Sequence, residues 1–151
     1  MSALFAFLHH LAAFGLVSAL TVEVVLLGGE INLNSARRLQ RADMALGISA
    51  GVLLAVGLAR VFFFEKGASY YFHNGPFIAK LTTFVVVALL SIFPTLVFLS
   101  WRKDTKEGRA PSPAPAQLRV LRRVVHAELA AIVLIVLCAA LMARGIGQLG
   151  S

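Results

Sequence analysis

Four long apolar stretches divide this chain, and no other feature restricts its fold as strongly. They cover about residues 4–27, 44–64, 77–101 and 124–143. A helix of this length crosses the hydrocarbon core of a bilayer, because it rises about 1.5 Å per residue. The chain has 151 residues, of which 59% are hydrophobic and only 14% charged. These features exclude a water-soluble domain and predict an all-α, integral membrane four-helix bundle that forms a single domain.

The basic residues between the apolar stretches predict the orientation of the bundle. The first connection carries Arg37, Arg38 and Arg41, the second carries only Lys66, and seven Lys and Arg residues lie within 102–123. Connections rich in Lys and Arg face the cytoplasm. We therefore expect both termini on the non-cytoplasmic side (N-out, C-out). The net charge of +7 is explained by contacts with anionic lipid head groups, so no nucleic-acid partner is expected.

Two other patterns concern local structure. Residues 109–117 (RAPSPAPAQ) are rich in Pro, Ala and Ser, for which we expect an extended or flexible linker without chemistry. Small residues recur in the second stretch as Gly47, Ala50, Gly51 and Gly57. Small residues allow helix backbones to approach closely, so we expect helix packing at these positions.

Nitrogen-bearing side chains occur at a similar predicted depth, near the outer surface, in all four stretches. They are His9, His10, Arg60, Lys80 and Arg144, with His73 in the connection above them. An ionisable group inside a span costs roughly 2.5–3.5 kcal/mol on insertion scales, so each one needs a partner or a task. A haem would satisfy this set, because its iron binds imidazole and its propionates pair with Lys or Arg.

His9 is the expected inward residue of the adjacent histidine pair. Ala12 and Leu16 share its helical face, and Glu23 returns to nearly the same face, whereas His10 points elsewhere. The alternative is that the long cationic side chains only extend to the membrane interface and that His9 bonds to a backbone carbonyl.

A second group of charged residues belongs to the other half of the predicted bundle. Its members are Glu23, Glu30, Arg37, Arg38, Asp43, Arg122, Arg123, His126 and Glu128. We expect ion pairing here, with the two intramembrane glutamates bonded to Arg38 or Arg122, or else protonated. A metal site of His126, Glu128 and Glu23 is an alternative, although the spacing is not the Glu-x-x-His pattern of di-iron bundles.

Several segments resemble one family of bacterial membrane proteins. They are LHHLAAFGLVSALTVE (8–23), GLARVFFFEKGASYYFHNGPFIAKL (57–81), SIFPT (91–95) and LMARGIG (141–147). On these segments the chain is identified as a member of domain-of-unknown-function family 2214, over nearly its whole length except the Pro-rich linker. This resemblance implies a multi-pass protein of the bacterial inner membrane.

The chain is more distantly similar to the HemJ-type protoporphyrinogen IX oxidases and to the CopD-like copper-export proteins. HemJ-type proteins carry an early Leu-His and a later Lys-Leu that are associated with haem binding, and Leu8-His9 and Lys80-Leu81 match these two motifs. The resemblance implies His9 as an axial ligand of haem iron, with Lys80 as the opposing ligand or as a propionate partner.

These observations lead to an expected function and two alternatives. We expect a haem b-binding, redox-active protein of the lipid bilayer that handles electrons or oxidises a hydrophobic reductant, such as a porphyrinogen or a quinol. Arg60 and Arg144 would hold propionates, and Lys80 or His73 would approach the second face of the iron. The alternatives are a copper-handling module built on the outer histidines and a structural subunit without a cofactor. Association into homodimers is also expected.

Overall fold

The computed structural model describes residues 2–59, 62–63, 73, 75–144 and 146, and over these residues the chain is helical, without strands. The helices are α1 (Ser2–Gly28), α2 (Leu33–Ala59), α3 (Gly75–Ser100), the short α4 (Arg102–Lys106) and α5 (Pro115–Ala143). The four long helices are each long and apolar enough to cross a membrane. This confirms the predicted all-helical fold with four candidate spans.

The four long helices form a ring in which each helix contacts two neighbours. Helix α1 packs mainly on α2 and α3 packs mainly on α5, while smaller contacts join α1 to α5 and α2 to α3. Within the described residues, α1 does not contact α3, so these two helices lie diagonally across the bundle. We call the end with connections 29–32 and 101–114 the linker end, and the end with the start of α1 and the end of α5 the terminal end.

Helix α2 begins at Leu33, about three turns before the predicted span that starts at residue 44. A reciprocal cap fixes this start: the Ser35 N–H donates to Asn32 Oδ1 at 2.9 Å, and the Asn32 N–H donates to Ser35 Oγ at 2.8 Å. The predicted helix was too short because the first turns of α2 carry charged side chains, which a criterion based on hydropathy excludes.

Helix α5 begins at Pro115, so the predicted linker 109–117 is wrong at its last three residues, 115–117, which are helical. Proline suits the first turn of a helix, because the N–H that it lacks has no partner there. The remainder of the segment is not helical, but Pro111 is buried and Arg109 pairs with Asp104 at 3.1 Å. At least part of this segment therefore packs against the linker end.

Most of the buried core lies in the linker half of the bundle. Its largest fully buried apolar side chains include Leu20, Leu27, Leu39, Phe98 and Leu121. The outer surfaces of the helices expose many large apolar side chains, as a lipid-facing surface requires. The buried glutamates Glu23 and Glu128 are therefore surrounded by closely packed apolar side chains.

Glycine permits close helix contact at a position that the sequence did not indicate. A Cβ atom added to Gly15 of α1 would lie 2.9 Å from Ser49 Oγ of α2, so the two helices approach closely there. Gly47 and Gly51 have open space around them, so the prediction of packing at these two positions was wrong.

Candidate functional site

His9 lies on the side of α1 that faces α2. Its side chain is half-buried, and a Cβ atom added to Gly57 would lie 3.4 Å from His9 Cε1 and 3.6 Å from Nδ1. His10 is exposed, and its Nδ1 is hydrogen-bonded to the Ala6 carbonyl oxygen at 2.6 Å. The two residues therefore point in different directions, with His9 inward, as the helical periodicity predicted.

Lys80 lies near the start of α3 and is also half-buried. Its Nζ is 5.3 Å from the centroid of the buried Phe77 ring, a cation–π contact that compensates part of the cost of withdrawing the ammonium from water. The other predicted cofactor residues are exposed or lie outside the described residues. His10, His73 and Arg144 are exposed, and Arg60 lies outside the described residues.

A cavity of about 310 Å³ lies between the helices, lined mainly by residues of α2 and α3, with two residues each from α1 and α5. Its polar lining consists of Asp43, Ser91, Thr95 and Glu128. The Ser91 hydroxyl donates to Glu128 Oε1 at 2.8 Å, and the Thr95 hydroxyl donates to Asp43 Oδ1 at 2.7 Å. Two carboxyl groups are thus joined to α3 through neutral hydroxyl groups.

The two intramembrane glutamates are almost completely buried: Glu23 is 0% exposed and Glu128 is 1% exposed. Within the described part of the chain, neither Glu23 carboxyl oxygen has a hydrogen-bond partner, and neither does Glu128 Oε2. Glu23 also lies within electrostatic range of Asp43 and Glu128. Three carboxyl groups from three helices thus lie near one another within the bundle, where a charged side chain is unfavourable without a partner.

The expected arginine partners of these glutamates are engaged elsewhere. Arg122 Nε donates to the Leu27 carbonyl oxygen at 2.6 Å, and Arg38 lies in a separate apolar groove of about 560 Å³ between α1 and α2. The expected ion pairs of Glu23 and Glu128 with Arg38 or Arg122 are therefore wrong, which leaves the other expectation, that the two glutamates are protonated. A long guanidinium near the end of a helix finds carbonyl oxygens or lipid head groups more easily than it enters the bundle interior.

The alternative of a metal site formed by His126, Glu128 and Glu23 is also wrong. His126 is exposed, with Nδ1 bonded to the Arg122 carbonyl oxygen at 2.6 Å, whereas both glutamates face the interior. Across the residues that the structure describes, no three His, Cys, Asp or Glu side chains are grouped closely enough to hold a metal ion.

Ser91 and Thr95 were not predicted as site residues. Both lie on one face of α3, four residues apart, and the buried Pro94 lies between them. Proline has no N–H to donate within a helix, and such positions in membrane helices commonly have nearby hydroxyl groups. Two hydroxyl residues that flank a proline in an apolar span were therefore the available signal in the sequence.

The comparisons with known proteins support the family that the sequence suggested. A family model described as a predicted membrane protein, DUF2214, matches residues 1–147. Comparison with curated proteins and with solved structures gave no match. The more distant resemblance to HemJ-type and CopD-like proteins stays a prediction.

Proposed function

The chain belongs to the DUF2214 family of predicted membrane proteins, and we propose that it binds haem b near the terminal end of its bundle and is redox-active. The observation that carries this proposal is the inward placement of His9, half-buried against Gly57. Lys80 supports it, because His9 and Lys80 lie about 10 Å and 8 Å from the starts of their helices, at 1.5 Å per residue. They belong to diagonal helices, so they approach the bundle from opposite corners.

The chemistry of these donors suits a haem. A neutral imidazole is a common axial ligand of haem iron, and Lys or Arg pairs with propionate groups. His9 would bind the iron and orient the group, Lys80 would bind the second face or a propionate, and Arg144 at the end of α5 would hold a propionate. His73, which is exposed, and Arg60, which lies outside the described residues, are further candidates for these roles. When bound, a haem supplies one-electron chemistry, which suits oxidation of a porphyrinogen or a quinol in the bilayer.

The same proposal gives the orientation in the membrane. Arg37, Arg38 and Arg41 lie near the linker end, together with the basic residues of α4. By the positive-inside rule, the linker end would face the cytoplasm and the terminal end would face the non-cytoplasmic side of a bacterial inner membrane. The proposed haem would then lie beneath the outer surface, and labelling of cysteines introduced at each end tests this orientation.

An absorption spectrum tests haem binding directly. We expect the protein purified in detergent from haem-supplemented cells to show a Soret band, which His9→Ala abolishes or shifts. His10→Ala is the matched control, because His10 is the exposed neighbour, and this variant should keep the spectrum of the natural chain. Lys80→Met should alter the band if Lys80 binds iron and leave it unchanged if Lys80 holds a propionate.

Other outcomes of the same preparation separate the alternatives. Absence of a Soret band, even after titration with haemin, would contradict the proposal. Copper in elemental analysis of haem-free protein would favour the copper-handling module. A protein that contains neither haem nor copper, and in which His9→Ala changes only the stability, would favour a structural subunit. Light scattering of the same sample measures whether the predicted homodimer forms.

A further inference from the structure

The cavity lined by Asp43, Ser91, Thr95 and Glu128 has no role in the proposed haem site. Neither His9 nor Lys80 lines it, and Glu23 lies 14 residues after His9 along α1, a distance of roughly 21 Å. With a volume of about 310 Å³, the cavity is large enough for a small ion and several water molecules.

One carboxyl oxygen on the wall of this cavity has an unsatisfied bonding capacity. Glu128 lines the cavity and is 1% exposed, and its Oε2 has no hydrogen-bond partner within the described residues. Its other oxygen accepts a hydrogen bond from Ser91 at 2.8 Å, so the carboxyl group is held in place. A fixed, buried oxygen without a donor is a site for a positively charged or protonic ligand.

The charges around the cavity have the same sign. Glu23 from α1, Asp43 from α2 and Glu128 from α5 repel one another when they are ionised. Helix α3 faces Asp43 and Glu128 with the hydroxyl groups of Thr95 and Ser91. Carboxyl groups this close do not all stay ionised unless a cation binds between them; otherwise at least one keeps a proton. In the described part of the chain, no arginine or lysine forms an ion pair with any of the three.

We propose that this cavity reversibly binds a monovalent cation, either a proton or Na⁺, on the carboxyl groups of Glu128 and Asp43. Carboxylate and hydroxyl oxygens are the ligands that hard cations prefer, and Ser91 and Thr95 supply the neutral ones. A proton would instead add to a carboxylate oxygen to give the neutral acid, and it would leave by the reverse step.

Glu23 completes the site electrostatically. It is not among the residues that line the cavity, but its negative charge adds to the field at Asp43 and Glu128. Substitution of Glu23 should therefore weaken cation binding without removing a ligand, whereas substitution of Glu128 removes the ligand itself.

Binding of radioactive sodium to the full chain in lipid nanodiscs, measured over a range of pH, tests the Na⁺ form. We expect saturable binding that protons compete away, at least about tenfold weaker in Glu128→Gln and weakened less in Glu23→Gln. Infrared difference spectra between acidic and alkaline buffers test the proton form. A carboxylic acid C=O band that changes with pH and disappears in Glu128→Gln is expected if the ligand is a proton.

Glu30→Gln is the matched control, because Glu30 is exposed in the connection between α1 and α2 and should leave both signals unchanged. If Glu128→Gln does not yield folded protein, Ser91→Ala replaces it and should weaken binding several-fold. The proposal is overturned if the natural chain shows neither signal, or if both signals persist in Glu128→Gln. The Soret band of Glu128→Gln should equal that of the natural chain, so failure here is distinguishable from failure of the haem proposal.

Discussion

Replacement of Glu23 by glutamine should make the bundle more stable in alkaline buffer, where the carboxyl group is ionised. The Glu23 carboxyl group is 0% exposed, and neither of its oxygens has a hydrogen-bond partner among the described residues. Glutamine keeps the size and shape of the side chain but carries no charge. The substitution therefore removes an uncompensated charge from the bundle interior and removes its repulsion with Asp43 and Glu128.

The expected gain follows from the position of the residue. A charged side chain at the centre of a span costs roughly 2.5–3.5 kcal/mol, and Glu23 lies about 8 Å from the end of α1, where the cost is smaller. The buried amide of glutamine has an unsatisfied polar cost of its own, which offsets part of the gain. We therefore expect a net stabilisation of about 1–3 kcal/mol. For a chain of this size, that corresponds to a rise in Tm of roughly 2–12 °C.

Thermal unfolding in detergent, followed by circular dichroism in alkaline buffer, measures this change, because the Glu23 carboxyl group carries its charge only after it has lost its proton. The buffer contains choline chloride rather than a sodium salt, so that no bound Na⁺ compensates the charge. Glu30→Gln is the control and should stay within about 0.5 kcal/mol of the natural chain, because Glu30 is exposed. A lower Tm for Glu23→Gln would refute the reasoning, since it would mean that the carboxylate has a stabilising partner.

Two further substitutions test the packing. Gly15→Leu should lower stability by roughly 1–3 kcal/mol in denaturant unfolding, because even a Cβ atom would lie 2.9 Å from Ser49 Oγ, whereas Gly51→Leu, with open space around it, should change little. Equal losses for the two leucine variants would contradict this account of the helix contact. Phe98→Ala should cost roughly 3–5 kcal/mol in the same assay, because Phe98 is 1% exposed and the centroid of its ring lies 5.4 Å from that of Trp101. A cost below about 1 kcal/mol would mean that the neighbouring side chains move to fill the space that Phe98 leaves.

The sequence predicted the membrane helices because a bilayer restricts the choice of structure. Every backbone polar group in the hydrocarbon must be satisfied within its own segment, so long apolar stretches become helices. The same criterion located the ends of α1 and α3 closely but missed the starts of α2 and α5. Those starts depend on the cap of Asn32 and Ser35 and on Pro115, which are polar or turn-forming signals that hydropathy ignores.

The polar site was predictable only in part. Helical periodicity placed His9 and Glu23 on the inner face of α1, and the structure agrees. The partners of the buried acids depend on how each helix is rotated about its own axis. Packing between the helices sets this rotation, and the periodicity of a single helix does not reveal it. For that reason the sequence favoured arginine partners for Glu23 and Glu128, while the structure instead pairs Glu128 with a serine four helical turns from the start of α3.

A structural role and a cation-binding role for the buried acids predict different responses to sodium. If Glu23 and Glu128 only fixed the packing, their glutamine variants would lose stability to the same extent in sodium and in choline buffers. If the cavity binds Na⁺, the natural chain gains stability as sodium is added, because a ligand that binds only the folded state stabilises it. Glu128→Gln would remove that gain. If this variant is also more stable than the natural chain in choline buffer, the Glu128 carboxylate lowers the stability of the fold when no Na⁺ is bound, as is common for residues at functional sites.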